Sequence, residues 1–206
     1  MMDKLIIYAV EQAFHFGFPL DASAVLIMEV DGLEAGLDAD AERIAEIARR
    51  NNARSVRLAA DEDERLLLWK CRKKAFGAIG RLSPSYCCQD GVVPRSKIPQ
   101  MLRFMNECGR RHDIRIANVF HAGDGNMHPI LLFDERDADQ LRRVVEASHD
   151  ILAECIRLGG SVTGEHGIGV EKIAFMDKLF SADDLEAMVK RSEEHTSELQ
   201  SHSDLV

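Results

Sequence analysis

The chain has 206 residues, of which 46% are hydrophobic and 30% charged, a composition typical of a soluble globular protein of about one domain. Its formal net charge of −9 would repel a phosphate backbone, so we do not expect nucleic acid as a partner. The longest apolar runs are far shorter than the ~20 residues that cross a bilayer, so we expect neither a transmembrane segment nor a signal peptide.

Apolar spacing and turn residues predict the elements of the first half. In chain order these are a helix over 2–16, a buried strand over 23–30, a helix over 41–50, a short strand over 55–60 and a helix over 61–80. We expect Asp38 or Asp40 to cap the second helix. The four acidic residues 61–64 suit the positive end of the third helix dipole.

The second half alternates strands and helices more clearly. Its predicted elements are a strand over 86–94, a helix over 98–112, a hairpin of strands over 114–120 and 127–133, and a helix over 137–158. Pro129 cannot donate to a ladder, so strand 127–133 is expected to lie at a sheet edge or to bulge there. With a βαβ-like unit in the first half, the order predicts an α+β fold, a ferredoxin-like sandwich with a mostly antiparallel sheet.

The five cysteines form an odd set without CxxC spacing. That pattern favours neither a disulfide framework nor a zinc–thiolate cluster. We therefore expect a reducing, cytoplasmic location, with any membrane association peripheral and mediated by partners.

Two histidines, His121 and His128, flank the turn of the predicted hairpin. Residues that flank a short antiparallel turn face each other with Cβ atoms roughly 5 Å apart, so the two imidazoles can converge on one ion. Asp124 and Asn126 suit the turn itself, and Asp124 is alternatively an acceptor that orients an imidazole. The competing interpretation is a hairpin whose histidines are only hydrogen-bonded at a sheet end.

A glycine-rich passage over 159–172 carries a Glu-His pair. Glu165 is the natural third ligand, because two imidazoles and one carboxylate leave open positions on a divalent ion. His166 would then be left to act as a base. The alternative is an ordinary loop with Glu165 solvated, and a phosphate-binding loop is disfavoured because neither nucleotide-loop motif occurs there.

A basic cluster on the helix predicted over 61–80 offers a carboxylate anchor. Arg72 is the favoured member, since Trp69 and Phe76 flank it at helical spacing and an arginine binds a carboxylate bidentately. Lys73, Lys74 and Arg81 are weaker candidates. The competing interpretation is a solvated basic face.

Three segments, FHAGDGNMHP, TGEHGIGVEK and SPSYCCQDGVVPR, together resemble the C-terminal domain of FAD-linked oxidases of the glycolate oxidase type, with D-lactate and D-2-hydroxyglutarate dehydrogenase relatives. The resemblance covers residues 2–190. It implies the C-terminal part of a vanillyl-alcohol-oxidase-type flavoenzyme, in which a separate N-terminal domain binds FAD. It also implies an iron–sulfur partner subunit as a candidate electron acceptor.

The same resemblance assigns roles to individual residues. It implies that His121, His128 and Glu165 ligate zinc or a similar ion, that His166 is the general base and that Arg72 holds the substrate carboxylate. Relatives with larger substrates have a lysine in the stretch that reads YCCQD here, so a small 2-hydroxyacid such as glycolate or D-lactate is expected.

The resemblance also bounds the domain. We expect one substrate- and metal-binding domain over 1–190, truncated at both ends relative to the family and inactive alone. Residues 191–206 have few apolar positions, are expected to be unstructured, and resemble a translated sequencing adapter. His195 and His202 therefore carry no weight as ligands.

Two functions of other classes remain open on the residues alone. One is a flavin-independent metalloenzyme that uses the two-histidine, one-carboxylate set directly. The other is a ferredoxin-like binding module without chemistry. Stoichiometric metal would exclude the second.

Overall fold

A computed structural model describes residues 1–191. Residues 192–206, which include His195, His202 and nearly all of the tail that was expected to be unstructured, lie outside the described residues. The described part forms two compact units. Unit 1 comprises Met1–Pro84 with Ala117–Val119, and unit 2 comprises Ser85–Ile116 and the chain from Phe120 onward.

Unit 1 is built on helices. In chain order its elements are β1 (Met2–Asp3), α1 (Lys4–Phe14), β2 (Ala24–Val25), α2 (Glu34–Arg50) and α3 (Glu62–Ala78). Asp3 caps α1, because its Oδ1 accepts from the Ile6 N–H at 3.1 Å. Helix α1 packs against α3. The buried residues at the core of the unit include Ile6, Ile7, Val10, Cys71 and Ala75.

Two predicted strands of unit 1 are wrong. Only Ala24–Val25 of the 23–30 run pairs, antiparallel with β1, and residues 55–60 form no strand. A strand needs a neighbour that accepts its hydrogen bonds and a layer that covers its apolar face. Leu26 and Met28 have neither in the described chain and remain 51% and 48% exposed.

The helices of unit 1 match the prediction better. The acidic start of α3 is confirmed, since Asp61 is its N-cap and accepts from the Glu64 N–H at 2.9 Å. Helix α2 starts earlier than expected, at Glu34. Asp38 and Asp40 therefore lie inside that helix, and their prediction as caps is wrong.

Unit 2 carries the remaining strands between long helices. Its elements are β3 (Ser85–Cys88), β4 (Gly91–Val92), α4 (Ile98–His112), β5 (Arg115–Asn118, of which the first two residues belong to this unit), β6 (Asn126–Met127), β7 (Pro129–Phe133), α5 (Ala138–Arg157) and α6 (Met176–Leu179). Strand β7 is the central strand of a three-stranded sheet of order β3-β7-β5, and β4 pairs with β6. The registered pairs are all antiparallel within the described chain, which confirms the α+β class with an antiparallel sheet.

The two long helices of unit 2 are confirmed. Helix α4 covers the range that its apolar spacing predicts, and α5 packs against α4 and β7. Asp137 caps α5 by accepting from the Asp139 and Gln140 N–H groups at 3.0 and 3.1 Å. Gly159, with φ +80°, ends it as expected.

The prediction for Pro129 is wrong on both counts. It opens the central strand β7, so it is not at an edge. The pairs Cys88↔Ile130 and Gly91↔Met127 share one register, so no residue is inserted and there is no bulge. The ladder of backbone hydrogen bonds is interrupted at Pro129, because proline lacks the N–H that would continue it. This shared register places Asp90 opposite His128.

Candidate metal centre

The turn between β5 and β6 brings the two predicted histidines together. The His121 N–H donates to the Asn126 carbonyl at 3.0 Å, and the His121 carbonyl accepts from the Asp124 and Gly125 N–H groups at 3.2 and 3.1 Å. The ring centroids of His121 and His128 lie 5.6 Å apart. The turn is therefore compact enough for both imidazoles to reach one ion.

Glu165 completes the set from the glycine-rich loop. Its Oε1 lies 2.8 Å from His128 Nε2 and 3.8 Å from His121 Nε2. The side chain of His128 is 3% exposed, whereas those of His121 and Glu165 are 48% and 51% exposed. Of these three candidate ligands, His128 therefore lies in the wall of the site, and His121 and Glu165 lie at its rim, which leaves one side open to solvent.

The rim belongs to a pocket of about 330 Å³ whose lining includes Val92, His121, Asp124, Asn126, Gly164 and Glu165. Asn126 is buried and Asp124 is exposed. Gly164 lies so close to Asn126 that a Cβ on it would be 2.7 Å from the Asn126 amide oxygen. The loop can therefore approach the β-turn only because this position is a glycine.

Asp90 is the residue that the sequence reasoning missed. Its side chain is fully buried, and its Oδ2 accepts four hydrogen bonds from the glycine-rich loop. Burial raises the pKa of this carboxyl, but the N–H groups of His166, Glu165 and Gly164 and the Thr163 hydroxyl outweigh burial and hold its pKa well below the usual value. The carboxylate is therefore ionised.

A buried lysine accompanies this carboxylate. Lys172 is 5% exposed, and its Nζ donates to the Asp90 carbonyl at 3.3 Å and lies 4.0 Å from Oδ2. Each charge makes the burial of the other less costly. Both residues lie inside segments that carry the family resemblance, but no spacing rule assigned either of them a role, and the signal for Asp90 is its cross-strand position opposite His128.

His166 lies beside the ligand set. Its ring stacks on that of His128, with centroids 5.1 Å apart and an interplanar angle of 16°. The residue is exposed. It therefore stands next to the rim, within reach of a molecule that binds there.

A second group of potential ligands, Asp90, His128 and His166, overlaps the first. It is the weaker cation site, because Asp90 already accepts four hydrogen bonds and Lys172 puts a positive charge beside it. The set of His121, His128 and Glu165 opens on the pocket through His121 and Glu165, its two exposed members.

A third group lies elsewhere in unit 2, between α4 and α5. Cys108 is fully buried and its Sγ donates to the Ala147 carbonyl at 3.7 Å. Asp150 is paired with His112 at 2.9 Å and with Arg111 at 3.2 Å. Asp150, His112 and Arg111 therefore form a polar cluster between α4 and α5.

The donor set of His121, His128 and Glu165 fits a divalent ion. Burial lowers the pKa of His128, although the carboxylates of Glu165 and Asp90 raise it, so the neutral form that binds metals is favoured. Two imidazoles and a carboxylate with an open side are typical of catalytic zinc and related ions.

Arg72 belongs to unit 1. It lies on α3 and is half-buried, with Cys71 and Ala75 of the same helix fully buried. Its role as carboxylate anchor stays a prediction.

All five cysteines are free in the structure. Among residues 1–191, no helix combines the length and apolarity that a membrane crossing requires.

Comparison with known sequences defines the class. A model of the family described as FAD linked oxidases, C-terminal domain, matches residues 1–191. The chain belongs to this family, as its three motifs predicted.

Individual relatives refine the comparison. The chain is 47% identical over 185 residues to glycolate oxidase subunit GlcD of Escherichia coli (strain K12), covering 90% of this chain and 37% of the relative. It is 36% identical over 187 residues to the Bacillus subtilis subunit of that name, covering 91% and 40%. It is 26% identical over 190 residues to the mitochondrial D-lactate dehydrogenase [cytochrome] of Arabidopsis thaliana, covering 91% and 33%. The chain thus spans 33% to 40% of the length of these relatives.

Proposed function

We propose that this chain is the substrate- and metal-binding part of an FAD-dependent oxidoreductase that converts a small 2-hydroxyacid into the 2-oxoacid. Its family membership and the names of its relatives, a glycolate oxidase subunit and D-lactate dehydrogenases, support this reaction class. Glycolate and D-lactate are the proposed substrates. The observation that carries the proposal is the approach of the Glu165 carboxylate to His121 and His128.

His121, His128 and Glu165 would hold the ion, and zinc is the proposed metal. A divalent ion at this position would lower the pKa of a bound hydroxyl and orient it. The exposed His121 and Glu165 leave the 2-hydroxyl and carboxylate of a substrate access to the rim. Asp124 and Asn126 shape the pocket beside them.

Residues of this chain would accept the proton of the substrate hydroxyl and bind the substrate carboxylate. His166, stacked on His128 at the rim, is the proposed base that accepts the hydroxyl proton. Arg72 is the proposed anchor of the substrate carboxylate, a role that guanidinium geometry suits.

FAD, held mainly by a domain outside residues 1–191, would supply the two-electron oxidation at C2 when bound. An iron–sulfur subunit is the proposed partner that receives the electrons, by family resemblance. The proposed location is cytoplasmic, with membrane contact only through partners. On this proposal the 206-residue chain alone does not turn over.

The test uses the flavin-containing enzyme in which this chain is joined to its flavin-binding domain. Glu165→Ala and His121→Ala are expected to abolish oxidation of glycolate and D-lactate while the flavin absorbance is retained. Glu171→Ala is the matched control, because this exposed carboxylate lies on the same loop outside the ligand set. Full turnover and metal content in both ligand variants would overturn the proposal, and turnover by the chain without flavin would favour a flavin-independent metalloenzyme.

A further inference from the structure

We infer that Asp90 is the positioning residue of the metal centre: it holds the loop that carries Glu165 and His166, and it backs the imidazole of His128. This inference rests on the proposed function, since it presupposes an ion at His121, His128 and Glu165. It concerns a residue that itself touches neither ion nor substrate.

The first step is the loop. The N–H groups of Gly164, Glu165 and His166 donate to Asp90 Oδ2 at 2.9, 3.0 and 2.8 Å. Three successive N–H groups that converge on one anionic oxygen form a concave backbone nest. Because consecutive peptide planes are fixed on one atom, the directions in which Glu165 and His166 leave the backbone are fixed as well.

Thr163 adds the residues on either side of 164–166, itself and Gly167, to this hydrogen-bonded arrangement. Its hydroxyl donates to Asp90 Oδ2 at 2.8 Å, and its Oγ1 accepts from the Gly167 N–H at 2.9 Å. The segment 163–167 is therefore tied, directly or through Thr163, to one buried carboxylate. Gly164 and Gly167 would otherwise leave this segment many conformations.

The second step is His128. The sheet register places Asp90 opposite it, and Asp90 Oδ1 lies 4.0 Å from His128 Nδ1, while His128 Nε2 faces Glu165 at 2.8 Å. Asp90 Oδ1 is buried and has no hydrogen-bond partner among the residues that the structure describes. At 4.0 Å this contact is electrostatic and not a hydrogen bond, and a carboxylate behind the far nitrogen of a ligand histidine is placed to orient the ring and raise its basicity.

The charge balance supports a fixed anion at this position. Lys172 is buried beside Asp90, with Nζ 4.0 Å from Oδ2. One fully buried side chain thus connects three parts of the site: the loop through Oδ2, the sheet histidine through Oδ1, and a buried cation. A purely structural aspartate would need only the first of these connections.

The experiment measures Co²⁺ binding to the full chain through the visible absorption of the bound ion. Asp90→Asn keeps the shape of the side chain but removes its charge. We expect Co²⁺ affinity to fall by ~10–100-fold, the usual effect of losing a residue that orients a metal ligand, and the absorption band to shift because the ligand geometry changes. Denaturant unfolding of the same samples reports stability separately.

Asp137→Asn is the matched control. Asp137 also accepts two backbone N–H groups in unit 2, at the start of α5, so the variant weakens a comparable cap without touching the loop. Its Co²⁺ affinity and absorption band are expected to stay at wild-type values. If it lowers affinity as much as Asp90→Asn does, loss of stability explains both effects and the inference fails.

Thr163→Val provides a second, milder test that remains usable if Asp90→Asn does not fold. It removes one of the four donors to Asp90, and we expect a smaller loss of affinity in the same direction with a folded chain. Unchanged affinity and spectrum in Thr163→Val and in folded Asp90→Asn would overturn the positioning role while leaving the metal site intact. A wild-type chain that binds no Co²⁺ would instead remove the proposed metal site, and this inference with it.

Discussion

At the scale of single residues, the two histidines of the centre face the same carboxylate oxygen from very different surroundings. His128 is 3% exposed, lies opposite Asp90 and stacks on His166, whereas His121 is 48% exposed at the start of a turn. Removing a buried ring leaves a cavity and lost contacts, but removing an exposed one leaves neither. The two positions therefore separate metal binding from folding.

We expect His121→Ala to lower zinc affinity by at least ~10-fold with a change in unfolding free energy within about 0.5 kcal/mol, as for other exposed substitutions. His128→Ala should lower both zinc affinity and stability, the latter by roughly 2–4 kcal/mol. Urea unfolding without metal and zinc titration of the same samples measure the two effects. An equal loss of unfolding free energy in both variants would contradict the exposed position of His121.

Two buried thiols, those of Cys71 and Cys155, and the half-buried thiol of Cys88 make a separate residue-scale prediction. Burial raises the pKa of Cys71, Cys88 and Cys155 from 9.0 to about 12. Because the folded state holds these protons more tightly, native thiolate forms only as the pH approaches 12, and stability is lost as the pH rises above the unfolded value.

Iodoacetamide at pH 8.5 should therefore modify these three cysteines slowly in the native chain and rapidly in urea. Mass spectrometry of the alkylated peptides measures both rates. Native rates close to the unfolded ones would contradict the burial of these side chains.

At the scale of elements, the turn between β5 and β6 depends on one glycine. Gly125 has φ +79°, and a Cβ built on it would lie 2.0 Å from the Val93 carbonyl oxygen. Gly125→Ala must therefore strain the backbone or push β4 away, and we expect a loss of roughly 1–3 kcal/mol in unfolding free energy together with weaker zinc binding.

Gly123→Ala is the control within the same turn, because nothing lies within 4 Å of a Cβ there. Denaturant unfolding and zinc titration of the two variants test the prediction. Similar losses in both variants would contradict the prediction. They would show that any added methyl group disturbs the turn, and that the contact with Val93 is not the cause.

The elements also show how far the sequence could predict the structure. Helices α4 and α5 were predictable because their apolar spacing and their ends agree with each other. The strand predicted at 23–30 was wrong, because apolar residues indicate burial only where another layer covers them. Leu26 and Met28 are exposed. Strand existence depends on partners that a local pattern does not contain.

The same contrast applies to the site. His121, His128 and Glu165 could be predicted because a turn and a glycine-rich loop mark them in the sequence. Asp90 could not, because its importance comes from the pairing of β3–β4 with β6–β7, which places it opposite His128. Arg72, which lies in unit 1, stays a prediction.

At the scale of the whole molecule, the family match covers residues 1–191, and residues 192–206 follow it. We expect that deleting residues 192–206 leaves the unfolding midpoint and the zinc stoichiometry unchanged, since the tail has few apolar residues to bury. Thermal unfolding and metal analysis of the shortened chain measure this. A lower midpoint or a lost ion would assign the tail to the domain.

The central claim is that one divalent ion is held by two imidazoles and a carboxylate at the β-turn. The most direct measurement is X-ray absorption at the zinc edge of the zinc-loaded chain. The account predicts one ion per chain with two imidazole nitrogens and the remaining ligands oxygen, at about 2.0–2.2 Å. A sulfur ligand near 2.3 Å, or a first shell without imidazoles, would contradict it.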